Sequence, residues 1–263
     1  MLLVDNKPVD VSALMQEYPA GSIQHKALEI MQDSEETLRY NSLDELKFEL
    51  KLRSAIVRAA EELNRSGMRF AVFSKSYANP DYWTRRSDGG FLLKTGVNAS
   101  DAIRDIFKNG QLYGTECATA MPIVYFKALL DVFGDEAFNQ MFRTIYLMNW
   151  HYLPPELSAT GRMQAAKTYL PGDRRYIANP DVDPQTPEWQ GENVIDLGNG
   201  LYYGHGMGRR TVEEVIKALN LNRFPGAQRE AYLMDSVGRP DFRRLFREYQ
   251  RRRTPQVLYQ WVS

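Results

Sequence analysis

The run Met121-Pro122-Ile123-Val124-Tyr125-Phe126-Lys127-Ala128-Leu129-Leu130 reads as a mostly apolar helix, and the chain is organised around it. A helix that is apolar on most sides has to be enclosed by other elements. It is entered through Gly114-Thr115-Glu116-Cys117-Ala118-Thr119-Ala120, which holds the only cysteine in 263 residues. Gly114 and Thr115 suit a turn into the helix, with Thr115 as N-cap, and that puts Cys117 in the first turn. There the unpaired backbone N–H groups and the positive end of the helix dipole favour a thiolate, the form that attacks carbonyl carbon. Two readings stand at this point: a nucleophile, or a small hydrophobe buried in a core.

Composition narrows the classes. Hydrophobic residues make up 43% and charged residues 25%, as in ordinary globular proteins. The formal net charge is zero, so no bulk field points to nucleic acid or membrane. A single cysteine rules out an intrachain disulfide and any dependence on an oxidising compartment. The N-terminus lacks a basic region followed by a long apolar run, and no stretch has the length of a transmembrane helix, so the expected location is the cytoplasm.

Taken in order, residues 1–40 read as an irregular extension with short helices near Val9–Met15 and His25–Met31, and His25 as a surface side chain. Ser42-Leu43-Asp44-Glu45 is a capping box opening a packing helix to about Asn64, with its charges on a solvated face and Gly67 as the stop. Met68 to Ser74 alternates as a strand. Tyr82–Arg85 and Phe91–Lys94 read as a hairpin around Ser87-Asp88-Gly89-Gly90. A helix follows from Asn98 or Ser100, then the Cys117 helix to Gly134, a short helix from Glu136 to Phe142, and a buried strand from Thr144 to Trp150. Leu153 to Pro187 is proline-rich loop. Glu192–Leu197 and Leu201–Gly206 form two strands around Gly198-Asn199-Gly200, Thr211-Val212-Glu213-Glu214 is a second capping box, and a helix is expected from Gln228 to Val237. The arginine-rich stretch from Arg239 to Arg253 reads as a solvated helix with a frayed end, with an acidic or nucleic-acid partner as the competing reading.

Cysteine catalysis needs a proton-transfer partner for the thiol. The hairpin register brings Glu192 and His205 side by side or nearly so, on a sheet edge that the Cys117 helix can face; both are otherwise ordinary strand residues. His151, beside Trp150, is the competing partner. Asp181, Asp183 and Glu192 have partial calcium-loop spacing, but Thr186 stands where glycine is needed and Pro184 and Pro187 interrupt it. Gly204-His205-Gly206-Met207-Gly208 is not a dinucleotide fingerprint, and no Cys/His spacing supports zinc. No cofactor or metal is expected.

Three motifs, Thr115-Glu116-Cys117-Ala118-Thr119-Ala120, Trp189-Gln190-Gly191-Glu192-Asn193-Val194-Ile195 and Tyr203-Gly204-His205-Gly206, resemble the spore-coat protein-glutamine γ-glutamyltransferases, the small transglutaminases of Bacillus-type spores. The resemblance spans roughly Asn41 to Phe246, with residues 1–40 and Pro154 to Arg175 matching only loosely. It implies an α+β, papain-like core related to NlpC/P60 enzymes, built as one catalytic domain over residues 1–263 with 247–263 as a basic tail. It implies calcium-independent cross-linking of protein glutamine to protein lysine, with release of ammonia. Cys117 matches the nucleophile, Glu192 the acid/base partner and His205 the third catalytic position, with Glu116 an auxiliary carboxylate. Phe70, Trp150 and Trp189 are candidates for the wall of a water-excluding substrate tunnel. The implied partners are spore-coat proteins, with no nucleic acid or membrane, and the implied route is synthesis in the mother cell and deposition in the coat. A cysteine amidase of the NlpC/P60 type and a non-catalytic coat component are the competing readings.

Overall fold

The computed structural model describes residues 1–253. Among the described residues there are eight α-helices: α1 (Val11–Met15), α2 (Ile23–Asp33), α3 (Leu43–Arg65), α4 (Ala99–Lys108), α5 (Cys117–Phe133), α6 (Asp135–Met141), α7 (Val212–Asn220) and α8 (Phe242–Arg253). The central antiparallel sheet has five strands in the order Gly208–Arg210, Tyr202–Gly204, Gly191–Asp196, Arg174–Ala178 and Tyr232–Leu233. The α+β class expected from the sequence is the class observed.

The apolar α5 is enclosed, and α3 packs along it. Ile195, Leu197 and Tyr203 bring one face of the sheet into this main core. Successive strand residues point to opposite faces. Val194 and Ile177 therefore line the other face, where they pack with Val215 and Leu219 of α7. Ser42 caps α3 through Glu45 N–H, and the Glu45 carboxylate reaches back one residue further than the capping box requires, to the backbone and side-chain amides of Asn41. Thr211 and Glu214 form the complete box expected at α7.

Five expectations are corrected. Residues 1–40 are not irregular: Leu2–Val4 pairs with Lys7–Pro8 and with Leu38–Tyr40, and Leu28 and Met31 of α2 pack against Leu46 and Leu50 of α3. The strand expected from Met68 to Ser74 is only Arg69–Phe70, because the Arg85 guanidinium gathers the carbonyls of Phe73, Ser74 and Ser76 into a tight turn. Within the supposed loop lies the Arg174–Ala178 strand, which pairs on both sides, with Gly191–Asp196 and with Tyr232–Leu233. Gln228 to Val237 is not helical, since Asp181 takes the N–H groups of Gln228 and Arg229 and Asn220 takes that of Ala231. The arginine-rich stretch is α8, whose Phe242, Leu245 and Phe246 are buried; residues 254–263 of the tail lie outside the described residues.

The charged side of α3 is not wholly solvated either. Arg53 is 1% exposed and donates to Glu49 at 2.8 Å and to Asp173 at 2.9 Å. Asp173 is fully buried and also takes Arg239 at 2.6 Å. Burial alone would raise the Asp173 pKa, but Arg53 and Arg239 outweigh it and hold the carboxyl below its usual range. Replacing Asp173 by Ala should lower stability by about 3–5 kcal/mol in denaturant unfolding, because it leaves the buried Arg53 with Glu49 alone and takes the carboxylate from Arg239. The exposed Arg104–Asp135 pair provides the control, and its loss should change stability by no more than about 1 kcal/mol.

Candidate active site

Cys117 is the first residue of α5, but its cap is Glu116 rather than Thr115. The Glu116 carboxylate curls back to accept from Ala118 N–H at 2.5 Å, from Thr119 N–H at 2.8 Å and from the Thr119 hydroxyl. Thr115 instead belongs to a short parallel ladder, opposite Phe70. Two of the N–H groups expected to favour a thiolate are thus already taken by a carboxylate. Burial pushes the Cys117 thiol up, and the charges of Glu192 and Glu116 push it further, against the backbone and side-chain N–H groups of Asn193, which favour the thiolate. The resting group is a thiol.

The Glu192 carboxyl faces that thiol and the backbone N–H of His205. Burial, and then Glu116, hold it well above the usual carboxylate range. Glu192 Oε1 makes no hydrogen bond among the described residues. The carboxyl lies over Gly204, where a Cβ would stand 2.9 Å from Oε1, so this approach needs glycine.

Sheet register pairs Val194 with Gly204, where the strand ends and the chain turns back toward Gly208, so Glu192 lies beyond the last paired position and His205 sits in the turn rather than beside it on a strand. The His205 ring is directed elsewhere. Its Nε2 lies 3.1 Å from the Arg69 carbonyl, which only accepts, so Nε2 carries the proton and Nδ1 accepts from the Tyr203 hydroxyl at 3.1 Å. Burial pushes the His205 pKa down to about 4, and the imidazole is neutral. Glu192 and His205 meet through a backbone N–H, not through the ring.

Two cavities flank the pair. One, of about 350 Å³, is lined by Cys117, Glu116, Phe73, Asn149, Tyr176 and Asn193, among others. The other, of about 120 Å³, is lined by Glu192, His205, Trp189, Met207 and Leu219. Phe70 and Glu188 border both. Phe70 leans on Gly206, whose φ is +97° and whose Cβ would stand 3.0 Å from that of Phe70. Of the three expected wall aromatics, Phe70 and Trp189 line these cavities and Trp150 lines neither: its ring lies under the Arg174 guanidinium, 4.2 Å away. His151 is exposed beside Tyr152 and borders neither cavity. Sequence reasoning missed Asn193, Tyr176 and Glu188. The strand holding Tyr176 reads as loop, and without it nothing shows that Tyr176 stands opposite Asn193.

The profile of the family "Protein-glutamine gamma-glutamyltransferase" matches residues 1–250, including the first forty residues that the motif resemblance matched only loosely. A protein-glutamine gamma-glutamyltransferase of Bacillus cereus (strain G9842) is 43% identical over 244 residues, covering 93% of this chain and 87% of the relative. One from Bacillus mycoides (strain KBAB4) is 44% identical over 239 residues, covering 91% and 85%. The solved structure of a transglutaminase from Geobacillus stearothermophilus, without its C-terminal extension, superposes with a TM-score of 0.73 at 44% identity, over 78% of this chain and 97% of that one. The chain belongs to the protein-glutamine γ-glutamyltransferase family.

Proposed function

We propose that this transferase cross-links spore-coat proteins through ε-(γ-glutamyl)lysine bonds by way of a thioester on Cys117, without calcium. The observation that carries the reading is the juxtaposition of the sole thiol with a buried carboxyl, Glu192, between two cavities. The coat setting rests on the motif resemblance, and the relatives compared are from Bacillus. The papain-like ancestry rests on one feature of the fold: a cysteine at a helix N-terminus set against an antiparallel sheet that bears its acid/base group.

A glutamine side chain enters the larger cavity and its amide carbon meets Sγ. The thiol proton passes to ionised Glu192 as the C–S bond forms. Glu192 then returns that proton to the departing nitrogen, ammonia leaves, and the acyl group remains on sulfur as a thioester. His205, neutral and held at both ring nitrogens, is no acid for this step; its backbone N–H supports the carboxyl. A lysine amine enters the smaller cavity, where the unpartnered Glu192 Oε1 is its base. Phe70, Trp189, Met207 and Leu219 suit its methylene stem and limit water, which competes for the thioester. Glu116 acts as the auxiliary carboxylate: it borders the same cleft, and its charge acts on both Cys117 and Glu192. The calcium-like spacing is not a calcium loop, since Asp181 holds Arg229 and Gln228 while Glu192 faces the thiol.

Incubation with a glutamine peptide and a small primary amine in EDTA, read by mass spectrometry, tests this reading. Amine addition with loss of one ammonia is expected, and simple deamidation would point to a hydrolase instead. Cys117→Ala should abolish turnover, and Glu192→Gln should lower kcat by about 10²–10⁴-fold. The remainder should vanish in Glu116→Gln/Glu192→Gln. Because Glu192 must be ionised to take the thiol proton and burial raises its pKa, the rate should fall, as pH drops, through a midpoint above the ordinary glutamate value of about 4.3. A midpoint at or below that value would contradict the assignment of Glu192 as base.

A further inference from the structure

With Glu116 occupying the Ala118 and Thr119 N–H groups, the donors that face Sγ come from the sheet. The Asn193 side-chain amide nitrogen lies 3.8 Å from Cys117 Sγ, and the Asn193 backbone N–H also points to the sulfur. Which end of that amide faces the sulfur is decided by its other neighbour. Arg174 Nη1 stands 2.6 Å from Asn193 Oδ1. A guanidinium can only donate, so the amide oxygen must face Arg174 and the NH₂ must face Cys117.

Arg174 is itself fixed on several sides. Its Nη2 donates to the Thr160 carbonyl at 2.9 Å, its plane lies over the Trp150 ring, and Gly238 leaves room for the guanidinium, since a Cβ there would stand 2.7 Å from Nε. The side chain is buried, and among the described residues no carboxylate forms an ion pair with it. Burying a cation without a counter-ion is unfavourable, and such groups concentrate where charge develops during a reaction. Burial works against the Arg174 cation, and Tyr125, Cys117 and Tyr176 would each favour it when ionised; of these, Cys117 is the one that the proposed chemistry charges.

We propose that Asn193 is a further catalytic residue, donating to the Cys117 sulfur and to the oxyanion formed beside it, and that Arg174, braced by Trp150, is the positioning residue that holds the Asn193 amide in that orientation. The proposal rests on Cys117 as the nucleophile. It gives Trp150 a place in the reaction through Arg174 rather than in a tunnel wall. Arg174 orients the donor and sets an uncompensated positive charge behind it, so the site is poised for an anion before substrate arrives.

The test uses the full-length protein and its only thiol. Asn193→Ala, Arg174→Met and the double variant are compared for steady-state amine incorporation and for the pH dependence of Cys117 alkylation by iodoacetamide. Asn193→Ala should lower kcat by about 10²-fold with KM nearly unchanged, and move the alkylation midpoint up by about one pH unit. Arg174→Met should move both in the same direction, and Arg174→Lys should recover part of the loss by keeping the charge. In the double variant the Arg174 change should add less to Asn193→Ala than it costs alone, since its orienting part acts through that amide and only its charge acts directly. An equal additional effect in the double variant, or an unchanged alkylation profile in folded Arg174→Met, would overturn the proposal. If Arg174→Met does not fold, Trp150→Leu, which leaves both Arg174 hydrogen bonds in place, gives the same reading. Failure of the wild-type protein to incorporate amine would overturn the transfer reading alone, because alkylation of Cys117 is measured independently of it.

Discussion

The buried ion pair between Arg53 and Asp173 ties the long helix α3 to the start of the Arg174–Ala178 strand, next to the strand that carries Glu192 and Asn193. Asp173 immediately precedes Arg174, so the residue that binds the helix to the sheet also sets where the guanidinium behind Asn193 begins. Arg239 closes the same carboxylate from the C-terminal segment. Because α3 packs along α5, this pair adds a polar tie between the helix layer that carries Cys117 and the sheet that carries Glu192 and Asn193, beside the apolar packing of α5 on that sheet. Charges buried this deeply are tolerated only in company, which makes the junction rigid rather than merely stable.

Around the sulfur, the physics differs from that of an isolated helix N-terminus. A dipole end alone would lower the thiol pKa. Here a carboxylate occupies that end, a second carboxyl stands against the thiol, and the surrounding protein desolvates the sulfur although it lines a cavity. The result is a cysteine whose thiol form is favoured, with the Glu192 carboxyl facing it. In the proposed chemistry this arrangement suits a transferase: charge appears only as the acyl bond forms, and the thioester is then sheltered until an amine arrives from the side of the free Glu192 oxygen.

Much of this was legible in the residues. The caps at Ser42 and Thr211, the hairpin through Gly198-Asn199-Gly200, and the placement of Cys117 at the mouth of an apolar helix are local signals, and local signals survive folding. What was hidden depends on distant partners. Arg174 and Arg175 read as loop residues because nothing nearby announces that the carbonyls of Thr160, Met234 and Ser236 and the rings of Trp150 and Tyr169 will receive them. Missing that strand hid Tyr176 and the orientation of Asn193. Gln228 to Val237 read as helix because its N–H groups are claimed by Asp181 and Asn220 from elsewhere in the chain. Glu116 escaped as a cap because short side chains usually hold that position.

The most direct measurement of the central claim is the intact mass of the protein after mixing with a glutamine peptide in the absence of any amine. The account predicts an adduct equal to the peptide less one ammonia, carried on Cys117, absent from Cys117→Ala and discharged when an amine is added. Amine transfer that proceeds at full rate with no such adduct, or an adduct on another residue, would contradict it.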